Sequence, residues 1–189
     1  MLVANGRTLE AAGPAPRQLQ AQEAFLLWNN AGQTFHNLAK ASESLSVKHV
    51  SRGLATSEID GDGDLDFAIV DLDGGVRLFR NEMTGGNWVQ LRLSNRDASD
   101  QLTSRGEHAV VTVHAGGRQF RRSLNSVFYL SQSSSTLHFG LGSVAVIDRV
   151  EVKWHGGETQ EFGGITPRAV WLLCEGEPSA PSQPNQLLT

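Results

Sequence analysis

A single cysteine, Cys174, stands in the 189-residue chain, which excludes an internal disulfide framework and any Cys-rich zinc site. Long apolar runs are missing too: none approaches the roughly 18 residues that a membrane-spanning helix needs. The opening stretch, MLVANGRTLEAAGPAPRQ, has no basic start followed by an apolar core, so no secretory signal is readable in it. Basic runs are equally scarce. The formal net charge is −4 and no Lys/Arg run reaches five residues, too little basicity to argue for nucleic acid. The six histidines form no His-x-His pair and no His-Glu-x-x-His helix motif, so zinc chemistry finds no support in the linear pattern. No Gly-x-Ser-x-Gly elbow occurs either. The length suffices for one or two compact domains, each with its own core.

What remains is a succession of short strand patterns. WVQLRL (88–93), AVVTVHA (109–115) and RVEVKW (149–154) alternate apolar and polar residues, the signature of a half-buried strand. FLLWNN and TFHNL, split by the turn-like AGQ, read as a hairpin or a pair of short strands, and Phe67–Asp71 with Val76–Asn81 read as two strands joined by an Asp-Gly-Gly turn. Leu45–Arg52 reads as a strand or a loop, and Gly117–Arg122, Val127–Ser131, Thr136–Phe139, Glu158–Phe162 and Ala169–Cys174 are further strand candidates. Such spacing without helical periodicity predicts an all-β chain of sandwich or barrel type. Trp88, Trp154 and Trp171 are expected in the core, and Trp28 outside it. Gly140-Leu-Gly142-Ser-Val-Ala145 matches a dinucleotide fingerprint in form only, since a strand pattern follows instead of a helix. Arg118, Arg121 and Arg122 read as a solvated strand face able to meet an anionic glycan or an acidic partner. Residues 1–24 read as a poorly ordered lead-in with a short helix near Arg17–Ala24. Residues 177–189, rich in Pro and Ser, read as a disordered tail.

The acidic charge is concentrated in one place. Seven carboxylates (Glu58, Asp60, Asp62, Asp64, Asp66, Asp71, Asp73) fall in one short stretch without Lys or Arg, and removing their seven charges from −4 leaves +3 for the rest. Unit charges about 4 Å apart repel by on the order of 1 kcal/mol in water and about 4 kcal/mol at an effective dielectric of 20. A folded turn holding several of them therefore calls for a hard cation with oxygen ligands, and Ca²⁺ fits better than Mg²⁺, which demands strict octahedral geometry. The expected ligands are the side chains of Glu58, Asp60, Asp62 and Asp66 and the backbone carbonyl of Asp64, completed by water. An EF-hand is excluded, because Ile69 stands where its bidentate Glu belongs. The competing reading is a plain solvated acidic loop. A faint echo, Leu27-Trp28-Asn29-Asn30 against Leu78-Phe79-Arg80-Asn81, suits a stacked or propeller-type β repeat.

These residues resemble known families. EIDGDGDLDFAIVDLDGGVRLFRNE is similar to the FG-GAP/VCBS repeat, a calcium-loop blade of a β-propeller. WVQLRL, SNRDA, VVTVHAGGRQFRR, YLSQ, LHFGLG and DRVEVKWHGGETQEF, in that order, resemble the ASPIC/UnbV domain. Together with VANG and LLWNNAGQTF they resemble the C-terminal part of the cartilage acidic protein family. The resemblance implies a partial propeller-type repeat at 25–86 and a β-sandwich or barrel-like domain at 87–176. It also implies a Ca²⁺ site at Asp60, Asp62, Asp64 and Asp66, with Glu58 in place of the usual Asp. Departures from the family pattern are DASDQLTSRGEH for a tight turn, LNSVF before YLSQ, and His155-Gly156 for Pro-Ser. A propeller closes with about four to eight blades, so the chain reads as the C-terminal fragment of a longer repeat protein, or as one that pairs with another chain to cover its blade edges. The expected function is a non-catalytic, calcium-binding interaction or adhesion module, extracellular or in the cell envelope, with a protein or glycan partner. The alternative expectation is an enzyme with a calcium-supported pocket between the repeat module and the second β domain.

Overall fold

The computed structural model describes residues 1–9, 18–30, 32–72, 74–83, 85–96, 99, 101, 106, 108–125, 127–128 and 130–177, without the side chains of 7–9, 18 and 127–128. Asp73 and the expected tail beyond residue 177 lie outside the described residues. The chain is all-β, with several small open sheets. Its strands are β1 (Leu2–Val3), β2 (Arg7–Leu9), β3 (Gln18–Gln20), β4 (Phe25–Asn30), β5 (Thr34–Asn37), β6 (Ser51–Ser57), β7 (Asp66–Asp71) and β8 (Val76–Phe79). They continue as β9 (Asn87–Ser94), β10 (Val110–Ala115), β11 (Arg118–Ser123), β12 (Val127–Phe128), β13 (Ser131–Gln132), β14 (Leu137–Gly142), β15 (Arg149–Lys153), β16 (Thr159–Phe162) and β17 (Val170–Cys174). Helix among the described residues is confined to a 3-10 turn at Ala39–Ala41 and one α-turn at Glu43–Ser46. None is long and apolar enough to cross a membrane.

Two compact units emerge. The first comprises residues 1–56, 66–80 and 127–133; the second comprises 57–65, 81–126 and 134–189. In the first, β1-β4-β5 and β6-β7-β8 are three-stranded sheets, and β2-β3 and β12-β13 are two-stranded ribbons. Both expected strand pairs form hairpins. Trp28 pairs with His36 between β4 and β5, and Phe67 with Phe79 between β7 and β8. The phenyl rings of the latter pair stack at 4.6 Å. Buried Ala24, Ala39, Leu45 and Ile69, with Leu26, Leu54, Phe67 and Phe79 against them, make a small core. Three readings change here. Gln18–Gln20 is a strand of a ribbon, not helix, because pairing with β2 outweighs the weak propensity of an isolated polar turn. The stretch from Leu45 starts as the α-turn, buries Leu45, and becomes strand only at Ser51. Val127–Ser131 is not one strand but part of the β12-β13 ribbon, turned at Leu130 in the left-handed region.

The second unit holds a four-stranded antiparallel sheet, β11-β10-β15-β16, and a three-stranded sheet, β14-β9-β17, in which β17 runs parallel to β9. The alternating patterns decide which face each strand buries. Val111 and Val113 of β10, Val150 and Val152 of β15, Val89, Leu91 and Leu93 of β9, and Phe139 and Leu141 of β14 fall into one cluster, closed by Trp154, Phe162 and Leu173. Each fully buried side chain of this size contributes about 1.5–3 kcal/mol relative to exposure. Trp154 is core and Trp171 packs against its margin, but Trp88 is not a core residue. Along β9 it alternates out of phase with Val89, Leu91 and Leu93, so its indole projects from the opposite face.

Candidate metal centre

The loop between β6 and β7, residues 58–65, winds by turning its own carboxylates back onto its amides. Gly61 N donates to Glu58 Oε1, Asp62 N to Asp60 Oδ1 at 3.4 Å, and Asp64 N to Asp62 Oδ1 at 3.0 Å. The two aspartate bonds are Asx-type turns, the local preference of short acidic side chains. Gly61 and Gly63 sit between them at φ 86° and 92°, a region L-residues with a side chain seldom enter.

Gly63 is where the loop is fastened. Its carbonyl oxygen accepts a hydrogen bond from His138 Nε2 at 2.9 Å. The ring of Trp88 stacks with that of His138, centroids 6.3 Å apart and planes at 23°. Strands β9 and β14 supply this pair: Gln90 faces His138 and Trp88 faces Gly140 in their ladder. Because Nε2 donates, the neutral imidazole carries its proton there and leaves Nδ1 as the acceptor. Burial, joined by the charge of Arg122, pushes the His138 pKa below its ordinary value, against the opposing pull of the Gly63 carbonyl and Glu58. In the sequence His138 falls within the strand candidate Thr136–Phe139 and Trp88 is expected in the core; nothing in the linear pattern ties either to the loop at 58–65.

Among the expected ligands, Glu58, Asp60 and Asp66 each offer a carboxylate oxygen, and the three lie within 4.8 Å of one another in this one continuous turn of chain. Asp66, the first residue of β7, is 1% exposed, Glu58 is half-buried and Asp60 is exposed. Asp62 is exposed and outside that trio, its Oδ1 facing the Asp64 amide. The donor set is oxygen only and trianionic, the chemistry of a hard divalent ion such as Ca²⁺ and not of a soft or nitrogen-seeking metal. A cation at the trio would offset the mutual repulsion of its carboxylates; the remaining positions of a shell of about six to eight would fall to carbonyls and water.

Asp71, by contrast, has left the acidic stretch for the first unit's interior. Arg77 grips it in a fork, Nε to Oδ2 at 2.7 Å and the second guanidinium nitrogen to Oδ1 at 3.2 Å. Ser51 Oγ donates to Oδ1 at 2.5 Å and His49 Nδ1 stands 3.4 Å from Oδ2. Burial would raise this carboxyl's pKa, but the hydrogen bonds and charge of Arg77, with Ser51 and His49, prevail and hold it below the ordinary value. It serves as a structural counter-ion to Arg77, apart from the loop at 58–65.

The remaining motifs also find their places. Gly140–Ala145 belongs to β14 and the turn after it, with no helix before β15. Arg118, Arg121 and Arg122 are exposed on β11, two of them resting on Phe120 and Phe139. No curated protein sequence matches the chain at a significant level. Residues 99–180, which hold β10 to β17 and leave the acidic loop outside, match the family model described as ASPIC and UnbV.

Proposed function

We propose that the chain is a calcium-binding, non-catalytic interaction module of the extracellular space or cell envelope. The observation that carries this reading is the convergence of one oxygen each from Glu58, Asp60 and Asp66 in a loop rich in further acids. Ca²⁺ held there, with Asp62 and the Asp64 carbonyl as additional ligands, acts as a structural ion that stiffens the turn between neighbouring strands. The likeness of this stretch to the FG-GAP/VCBS repeat supports a propeller-type blade in the first unit. The ASPIC and UnbV match supports a sandwich-like domain after it and a relationship to cartilage acidic proteins. Affinities of extracellular Ca²⁺ modules, about 10⁻⁴–10⁻³ M, would keep such a site filled outside cells. For a protein or glycan partner the first unit offers Trp28, 52% exposed, its ring 5.8 Å from that of His36.

Calorimetric titration of the chelator-treated full chain with CaCl₂ tests the proposal. One site of submillimolar to millimolar affinity is expected, abolished by Asp66→Asn and weakened by Asp62→Ala. Absence of heat at millimolar calcium, or affinity unchanged in Asp66→Asn, would overturn it.

A further inference from the structure

His108 and His155 meet at one end of the β10–β15 ladder. The ladder pairs Val110 with Lys153, and carrying that antiparallel register two residues further on each side sets His108 opposite His155. The side chains follow the register: their ring centroids are 5.3 Å apart, with the planes at 46°. Opposed positions of one face are neighbours in any antiparallel pair, and here each side is held by a turn. Ala109 N donates to Gly106 O at 3.2 Å, with His108 between them at φ 63°. On the other side Gly157 N donates to Trp154 O at 3.1 Å and Trp154 N to Glu158 O at 2.9 Å, enclosing His155. Both imidazoles are exposed, so solutes reach them.

Imidazole is a ligand for zinc, copper, nickel and iron, and poor for calcium. Two imidazoles bound through one nitrogen each to a tetrahedral ion, at Zn–N distances of about 2.0–2.1 Å, have their ring centroids about 5 Å apart. The His108–His155 spacing agrees with that geometry. We propose that this pair is a surface two-histidine site for a divalent transition metal of the zinc class, with water in the open positions. It is chemically distinct from the all-oxygen loop, so the two select different ions. No linear motif announces it, because six strands, β10 to β15, separate its two ligands in sequence.

The test is calorimetric titration of the full chain with ZnCl₂ near neutral pH, with and without millimolar calcium. His108→Asn, chosen because Asn tolerates the left-handed backbone, and His155→Asn are compared with the unaltered chain. One zinc per chain is expected, with affinity reduced about tenfold or more by either substitution and unchanged by Asp60→Asn or by calcium. Selective zinc-induced shifts of the His108 and His155 imidazole resonances, read in the unaltered chain, give a second measure that needs no variant. Absence of zinc heat, equal affinity in both histidine variants, or loss of binding in Asp60→Asn alone would overturn the proposal.

Discussion

Trp88 covers Gly63 so closely that a Cβ built on the glycine would lie 1.9 Å from indole Cε2. Gly61, two residues earlier and also in the left-handed region, would place its Cβ in open space. The two glycines therefore separate backbone strain from steric exclusion. Gly61→Ala is expected to cost about 1–2 kcal/mol, the penalty of a left-handed L-residue. Gly63→Ala adds displacement of a packed indole, about 1–3 kcal/mol more. Urea unfolding of the two variants checks the order, and equal losses would show that Trp88 yields freely.

His138 gives the same fastening a pH dependence. Its folded pKa lies below the ordinary value, so under mildly acidic conditions the unfolded chain takes up a proton that the folded chain refuses. Stability from this group is complete above the unfolded pKa of about 6.5 and is lost as pH falls through the folded value. The unfolding midpoint should drop between pH 7.5 and 5.5. His138→Gln should be less stable at the upper pH, and its midpoint should fall by less between the two. A drop of equal size in His138→Gln would overturn the assignment of the effect to His138.

At Asp71 the linkage has the same sign in a lower window. Its carboxyl is buried and held by Arg77, Ser51 and His49, and its pKa is depressed. Its contribution is present above the unfolded pKa of about 3.9 and fades below it. Breaking a buried pair from one side costs about 3–5 kcal/mol. The Arg77 side chain is 18% exposed, which lets water reach the abandoned carboxylate and lowers the expected loss for Arg77→Met to about 2–4 kcal/mol. Acid unfolding, followed by far-UV circular dichroism, should begin at higher pH in that variant.

These relationships mark how far the residues could be read in advance. The period of two in 88–93, 109–115 and 149–154 located strands and the phase of Val111, Val113, Val150 and Val152, because alternation reports directly on a face that must be buried. The hairpins were legible from the turn residues AGQ and Asp-Gly-Gly between short strand-like runs. The acidic stretch was legible as a turn, since repulsion and paired glycines are local properties. Its support was not: Trp88 and His138 reach Gly63 through tertiary packing, and a Trp out of phase with its strand's apolar residues signals a second covered face without naming the cover. The Leu-aromatic-x-Asn echo falls on β4, the middle strand of its sheet, and on β8, an edge strand. Short identity therefore did not report equivalent places. Nor could Asp71 be told from its acidic neighbours before β8 brought Arg77 beside it.

The converging trio makes a prediction of opposite signs with and without calcium. In calcium-free buffer, Asp60→Asn removes one charge from a set of oxygens within 4.8 Å while an amide oxygen can still accept from Asp62 N. Stability should hold steady or rise. Calcium at about ten to a hundred times Kd should stabilise the unaltered chain by about 1.4–2.7 kcal/mol through mass action, and Asp60→Asn should lose most of that increment. Thermal unfolding of both proteins in chelator and in millimolar calcium gives the four midpoints required. A variant that is destabilised equally in both buffers would make Asp60 a structural residue of the loop, because electrostatic relief and ligand loss act under different ionic conditions and a packing defect acts under both.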